Sequence, residues 1–180
     1  MRIAMMILLT GGSACGKSHY AEELCLQLPA PRYYIAAMRP CSRIAEKKII
    51  QKRLLRQQRG FAGTFDRYTD LAGLTLPARG TVLLECLCNL TANEMFDPDG
   101  HFTDPVQTVL DGIAALHRQC GYLLIVTNDT GSDSRSYAAS TDAYVQALGK
   151  INALVAQQAD CVYELVCGIP VLLKGKDVPV

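Results

Sequence analysis

Eight consecutive residues, Gly11-Gly12-Ser13-Ala14-Cys15-Gly16-Lys17-Ser18, carry the clearest chemistry in this chain. They fit the pattern GxxxxGK[ST], in which each residue type serves a bound phosphate. Gly11 and Gly16 allow backbone angles that a side chain would forbid, so successive N–H groups can turn toward one anion. A helix opening at Lys17 would set its positive dipole end beneath the phosphates. Lys17, expected to face solvent from the loop, would reach the β- and γ-phosphates, and the Ser18 hydroxyl would face a Mg²⁺ ion. Such a P-loop also needs an acidic group near the metal. Glu85 ends the apolar run 81–84 and fits that place, since ligands of open α/β sheets gather at the C-terminal strand edge. Asp129, after the apolar run 123–127, is a second carboxylate at this edge and equally well a surface-loop residue.

The elements that must position these groups are legible as a rhythm. Apolar runs of strand length at 3–9, 33–37, 81–84, 122–127, 162–166 and near 171–173 alternate with helix-like stretches at 17–28, 42–59, 90–96, 105–120 and 136–159. The runs are continuous, as a sheet covered on both faces requires. Asp104-Pro105 reads as a helix cap followed by proline at the first helical position. The rhythm predicts an α/β fold of the P-loop nucleoside-triphosphatase type: a mostly parallel central sheet with helices on both faces, in a single domain over residues 1–180. Segment 42–59 holds seven Lys/Arg against one Glu, with Ile44, Ala45, Ile49, Ile50, Leu54 and Leu55 at three-to-five spacing. It reads as an amphipathic helix with a basic outer face, either solvated or forming a positive wall over a nucleotide.

Composition narrows the function classes. A chain of 180 residues with 49% hydrophobic residues can fold without a disulfide or metal staple. The balance of 18 Lys+Arg against 17 Asp+Glu argues against a nucleic-acid binder. No stretch approaches the roughly 18–20 apolar residues of a membrane span. The short apolar run at the N-terminus is read as a strand rather than a secretory signal, because the phosphate loop follows it directly. Eight cysteines include no CxxC pair, and Cys86-Leu87-Cys88, the tightest spacing, lacks neighbours for a zinc site. Free thiols in a reducing cytoplasm are the expectation.

Taken together, these residues resemble the bifunctional adenosylcobinamide kinase/adenosylcobinamide-phosphate guanylyltransferase family of cobalamin biosynthesis, over residues 6–174. The resemblance rests on the opening Ile7-Leu8-Leu9-Thr10-Gly11-Gly12 with Gly16-Lys17-Ser18, on Tyr34-Ile35-Ala36-Ala37, and on Leu83-Leu84-Glu85-Cys86-Leu87 with Leu90-Thr91-Ala92-Asn93. Val126-Thr127-Asn128-Asp129 with Gly131, Gly149, Asn152 and Cys167-Gly168-Ile169-Pro170 continue it in the same order. The resemblance implies phosphorylation of the aminopropanol hydroxyl of adenosylcobinamide by GTP or ATP with Mg²⁺. It further implies transfer of GMP from GTP, through an active-site His, onto that phosphate. Residues 11–18 would hold nucleotide phosphates; Ala37, Met38, Arg39 and Asp66 would line the nucleotide site, and Glu85 would serve the metal or nucleotide. A homotrimer is also implied.

The chain departs from the family at one helix above all. The family's nucleophilic His lies in a pattern like RIxxHRxxR, and here Lys52 takes that place, with Arg53 and Arg56 flanking it. A register three residues on puts Leu55 there, with Arg56 and Arg59 as the flanking pair. No His lies between His19 and His101. Pro40-Cys41-Ser42-Arg43 replaces the acidic residues that precede this helix, and Val145-Gln146 and Asn152-Ala153 replace an Arg-Asp and an Asn-Gln pair. The kinase half is thus matched more fully than the transferase half. Two rival readings stay open: a kinase of another small alcohol, and a nucleotide-binding regulator without catalysis.

Overall fold

In the computed structural model, which describes residues 4–40, 43–96, 102–129 and 139–178, the apolar runs become strands. These are β1 (Met5–Thr10), β2 (Arg32–Ala36), β3 (Gly63–Asp66), β4 (Thr81–Glu85), β5 (Tyr122–Val126), β6 (Cys161–Val166) and β7 (Ile169–Lys174). Between them run helices α1 (Lys17–Gln27), α2 (Arg43–Gln58), α3 (Leu87–Met95), α4 (Val106–Gln119) and α5 (Ala139–Gln158). The strands form one sheet in the order β3-β2-β4-β5-β1-β6-β7, parallel except for the closing β6–β7 hairpin.

Side chains of a strand alternate between faces. Ile7, Leu9, Tyr34, Leu83 and Leu124 pack with Ala21, Leu24 and Cys25 of α1 and with Leu28, which caps it. Met6, Leu8, Ile35, Leu84 and Ile125 pack on the other face, with Leu87, Ile113, Leu148 and Ile151 of α3, α4 and α5. Both faces are covered, which is why the strand runs are apolar without interruption. The register brings Ala36, Glu85 and Val126 level at the C-terminal edge, with Val126 beside Leu9. At α4, Asp104 Oδ1 accepts the Val106 N–H at 3.0 Å while Pro105 takes helical angles, the cap and proline expected there. Among the described residues, no helix is long and apolar enough to cross a membrane.

Three features differ from the sequence reading. Strand β3 was not expected, because its four residues Gly63-Thr64-Phe65-Asp66 are short, mixed in polarity and none fully buried. Helix α3 begins at Leu87, three residues before the apolar pattern at Leu90. The third is a reversal of α2. Arg53 and Arg56 turn inward, whereas Ile50, Leu54 and Leu55 are exposed; Arg59, just past the helix end, is exposed too and reaches α1 at the surface. The arginines meet carboxylates of other elements: Arg53 pairs with Asp66, Arg56 with Glu22 and Glu85, and Arg59 with Glu22 and Glu23. Guanidinium is weakly hydrated and matches carboxylate geometry, so a stripe of arginines can face a protein body that offers acids. Cys41, His101 and Gly131 lie outside the described residues.

The reversed helix is testable by stability. Leu54 is 54% exposed, so Leu54→Lys is expected to change the unfolding free energy by about 0.5 kcal/mol or less. Leu83→Ala, in the core, is expected to cost about 2–5 kcal/mol. Urea denaturation of the two variants compares them, and a large loss for Leu54→Lys would restore the apolar-inward orientation.

Candidate functional site

The C-terminal strand edge carries a cavity of about 480 Å³, within the usual size of a small-molecule site. One wall is the loop 13–18, joined by His19; another is α2, with Ile49, Lys52, Arg53 and Arg56. Strand ends and the segments after them complete it: Ala36, Met38, Thr64, Asp66, Glu85, Cys86, Asn89, Val126 and Asn128.

Gly11 and Gly16 have φ of 134° and 97°, in the region that favours glycine. A Cβ at Gly11 would also stand 2.7 Å from the Leu165 carbonyl oxygen, and one at Gly16 3.3 Å from Gly168 Cα. The loop therefore rests against the β6–β7 turn, and Gly168 N–H donates to the Cys15 carbonyl at 2.9 Å. Asp129 N–H donates to the Gly11 carbonyl from the other side, at 3.2 Å. Gly16 caps α1 without a side chain, so the first-turn N–H groups stay available to an anion.

Lys17 does not face solvent as expected. It is 6% exposed, and its Nζ donates to the Gly11 carbonyl at 2.9 Å, to the Gly12 carbonyl, and to Cys15 Sγ at 3.5 Å. A buried cation needs acceptors, and the tight loop aims its own carbonyls at the ammonium.

Glu85 lies beside the loop and lines the same cavity as Ser18. Burial raises its carboxyl pKa above the ordinary value; the Ser18 hydroxyl opposes this, and the charge of Glu22 adds to it. Arg56 reaches Glu85 at 3.5 Å and Glu22 at 3.6 Å, with its guanidinium carbon 3.3 Å from the centroid of the Tyr34 ring. Burial lowers the Arg56 pKa, and Glu22 opposes the shift. Ser18 and Glu85 offer hydroxyl and carboxylate oxygens only, a donor set suited to a hard cation such as Mg²⁺.

Side chains behind the cavity fix its loops. Asn93 donates to the Ala37 carbonyl at 2.7 Å, and Asn152 Nδ2 to the Asn128 carbonyl at 3.2 Å. Thr127 Oγ1 donates to Asn152 Oδ1 at 2.7 Å. Two polar atoms of cavity residues, Arg53 Nε and Thr64 Oγ1, are buried without a hydrogen-bond partner among the described residues.

The structure thus gathers Ser13 to Ser18, Met38, Lys52, Arg53, Arg56, Asp66 and Glu85 around one cavity. Gly11 and Gly12 shape the loop from behind. Ala37 is buried, and neither it nor Arg39 is among the lining residues, so these two stand apart from the group. Asp129 is exposed and also off the cavity, contributing its backbone alone. Sequence reasoning missed Asn89, Asn128, Ile49, Thr64 and Cys86, and gave His19 no role. Asn128 carried a signal, since it lies in the family-like loop; isolated polar residues such as Thr64 and Asn89 carry none.

The chain matches the family Cobinamide kinase / cobinamide phosphate guanyltransferase over residues 7–173 and belongs to it. It is 28% identical to the bifunctional adenosylcobalamin biosynthesis protein CobU of Salmonella typhimurium, covering 94% of this chain and 100% of that protein. The protein of the same name from Escherichia coli is also 28% identical, with the same coverage. Among solved structures, the ATPase domain of G40P shares the fold at TM-score 0.54 and 12% identity, covering 99% of this chain and 80% of that one. The flagellar accessory protein FlaH from Methanocaldococcus jannaschii does so at TM-score 0.52 and 12% identity, covering 96% and 79%.

Lys17→Ala is expected to abolish triphosphate turnover. It would also cost about 1–3 kcal/mol of stability, because the Gly11 and Gly12 carbonyls lose their buried donor. Thermal unfolding and turnover measured on the same preparation check both; an unchanged melting temperature would return Lys17 to solvent.

Proposed function

We propose that this member of the family transfers the γ-phosphoryl group of GTP or ATP to the aminopropanol hydroxyl of adenosylcobinamide, with Mg²⁺ bound by Ser18 and Glu85. The observation that carries this reading is that Ser18 and Glu85 line one cavity beside a glycine-shaped loop. The loop and first-turn N–H groups of α1 would bind the phosphates, and Lys17 would exchange loop carbonyls for phosphate oxygens. When bound, Mg²⁺ supplies charge neutralisation to the phosphate oxygens. Asp66, Thr64 and Arg53, at the α2–β3 end, would hold the rest of the nucleotide, with unpartnered Arg53 Nε and Thr64 Oγ1 available to its polar groups. Phosphoryl transfer needs mainly positioning and neutralisation, so these residues suffice without a nucleophilic side chain. Incubation with GTP or ATP, Mg²⁺ and adenosylcobinamide should give a product heavier by one phosphoryl group. Nucleotide hydrolysis unaffected by the corrinoid, or binding with no turnover, would favour another acceptor or a regulator.

Glu85→Gln separates the metal role from packing. It should lower Mg²⁺-dependent turnover roughly 100-fold or more, since an amide does not replace the carboxylate charge. The folded-state pKa of Glu85 is raised, so ionised Glu85 costs stability at neutral pH and its protonated form favours folding at low pH. The variant should therefore match or exceed the parent's melting temperature without metal. A loss of stability equal to the loss of turnover would make Glu85 a structural residue alone.

For guanylyl transfer, the register decides which side chain is in reach. Lys52 lines the cavity, whereas Leu55 is exposed and is not among the lining residues. An ammonium attacks phosphorus only after shedding a proton, a step that a neutral imidazole avoids. We therefore propose the kinase reaction alone. Denatured protein from an incubation with α-labelled GTP is expected to carry no label. Covalent GMP on Lys52, formed with release of pyrophosphate, would give that lysine the carrier role.

A further inference from the structure

We propose that Lys52 is a non-covalent catalytic residue, whose ammonium neutralises the phosphoryl group during transfer while the loop keeps the nucleotide. This rests on the phosphoryl-transfer reading above. Among the described residues, Lys17, Lys52, Arg53 and Arg56 are the Lys and Arg side chains that line the cavity. Three of them are engaged. Lys17 is bound to the Gly11 and Gly12 carbonyls, Arg53 to Asp66, and Arg56 to Glu22 and Glu85. Lys52 is exposed and has no ion pair or hydrogen bond with any described residue. An anion entering the cavity can meet this cation without displacing a carboxylate.

Helix spacing and sheet order place this cation. Residues four apart share a helix face, with Cβ atoms about 5–6 Å apart, so Lys52 stands one turn before Arg56. Arg56 in turn lies 3.5 Å from Glu85. The loop follows β1 and Glu85 ends β4, with β5 between the two strands. Neighbouring strands are roughly 4.8 Å apart, so about 10 Å separates the strand of the loop from that of Glu85. A triphosphate lying from the loop toward Glu85 therefore presents its terminal phosphate to the α2 wall. There Arg56 is held between two carboxylates and the Tyr34 ring. Lys52 carries three N–H donors on a flexible four-carbon stem, which can follow a group that moves.

In the transfer, the acceptor hydroxyl oxygen forms a bond to the γ-phosphorus, and the bond from that phosphorus to the β–γ bridging oxygen breaks. The nucleoside diphosphate leaves with the bonding pair, and the hydroxyl proton passes to water. Lys52 forms no bond to phosphorus and keeps its protons. During transfer, charge spreads over the three equatorial oxygens of the moving group, and a donor aimed at those oxygens stabilises that state above the bound triphosphate. The position that carries the family's nucleophilic His thus supplies a charge here instead of a nucleophile.

Lys52→Met is expected to lower kcat about 100-fold and to leave the nucleotide KM within about threefold, because the contact arises only during transfer. The site is exposed, so the melting temperature should not change. Lys52→Arg keeps the charge and should recover most of the lost rate. Lys47 is exposed on the same helix and off the cavity, so Lys47→Met should change kcat by less than about twofold. Binding gives a second readout that needs no acceptor. A nucleoside diphosphate with Mg²⁺ and aluminium fluoride mimics the planar transferring group, and it should bind Lys52→Met about tenfold or more weakly than the parent. A non-hydrolysable triphosphate analogue should bind both proteins alike. Equal losses for the two probes, no loss for either, equal effects of Lys47→Met and Lys52→Met, or covalent GMP on Lys52 would each overturn the proposal. A parent that binds both probes and phosphorylates no corrinoid would overturn the acceptor alone, with the probe comparison still deciding the role of Lys52. A parent that binds neither probe would overturn both readings.

Discussion

Two carboxylates on the same buried side of the sheet, Glu22 of α1 and Glu85 of β4, are held by one arginine from a third helix. Arg56 is 7% exposed, lies at 3.6 and 3.5 Å from them, and stacks on Tyr34 of β2. The geometry uses the whole guanidinium: its edges take carboxylates and its face takes a ring. Like charges brought together out of water oppose folding unless a cation is shared between them. The apolar residues Ile50, Leu54 and Leu55 contribute little to docking because they face outward. Ion pairs hold α2 at the strand edge, and Arg56 connects that docking to the acid beside Ser18.

The rest of the site is built by bonds from side chain or turn to loop backbone. The β6–β7 turn supports the phosphate loop at Cys15, and Asn93 and Asn152 fasten the segments after β2 and β5. Each support comes from an element that is itself packed on the sheet. The loops therefore inherit the rigidity of the core, and buried backbone polar groups find partners without further strands.

The parts legible in the sequence are those with a local cause. Continuous apolar runs signalled buried strands, Asp104-Pro105 a helix start, and residues 11–18 a phosphate loop, because each depends on neighbours in the chain. Glu85 was legible by a longer inference, as the carboxylate that ends an apolar run at the ligand-bearing edge. What the sequence hid depends on partners far away. The inward arginines of α2 are explained by Glu22, Glu85 and Asp66, none adjacent in sequence, and helical periodicity alone assigns the basic face to water. Strand β3 exists because β2 offers it an edge, not because Gly63-Thr64-Phe65-Asp66 prefers extension. Lys17 is buried because of where the loop points its carbonyls, which no residue type encodes.

The reversal of α2 also changes how charge is divided in the site. A solvated basic face would leave its arginines available to a polyanion. Here Arg53 and Arg56 are engaged with Asp66 and Glu85, so a triphosphate would have to displace carboxylates to use them. The backbone donors of the loop and the start of α1 carry no such commitment, since Gly16 offers no capping side chain. Among the described residues, Lys17 is bound only to carbonyl oxygens and a sulfur, which a phosphate oxygen would outbid by its charge. Recognition of a phosphate would therefore fall to the loop, with α2 neutralising and orienting the acids around it. Under that division the loop and its acid stay assembled with Lys52, not a His, facing the cavity from α2.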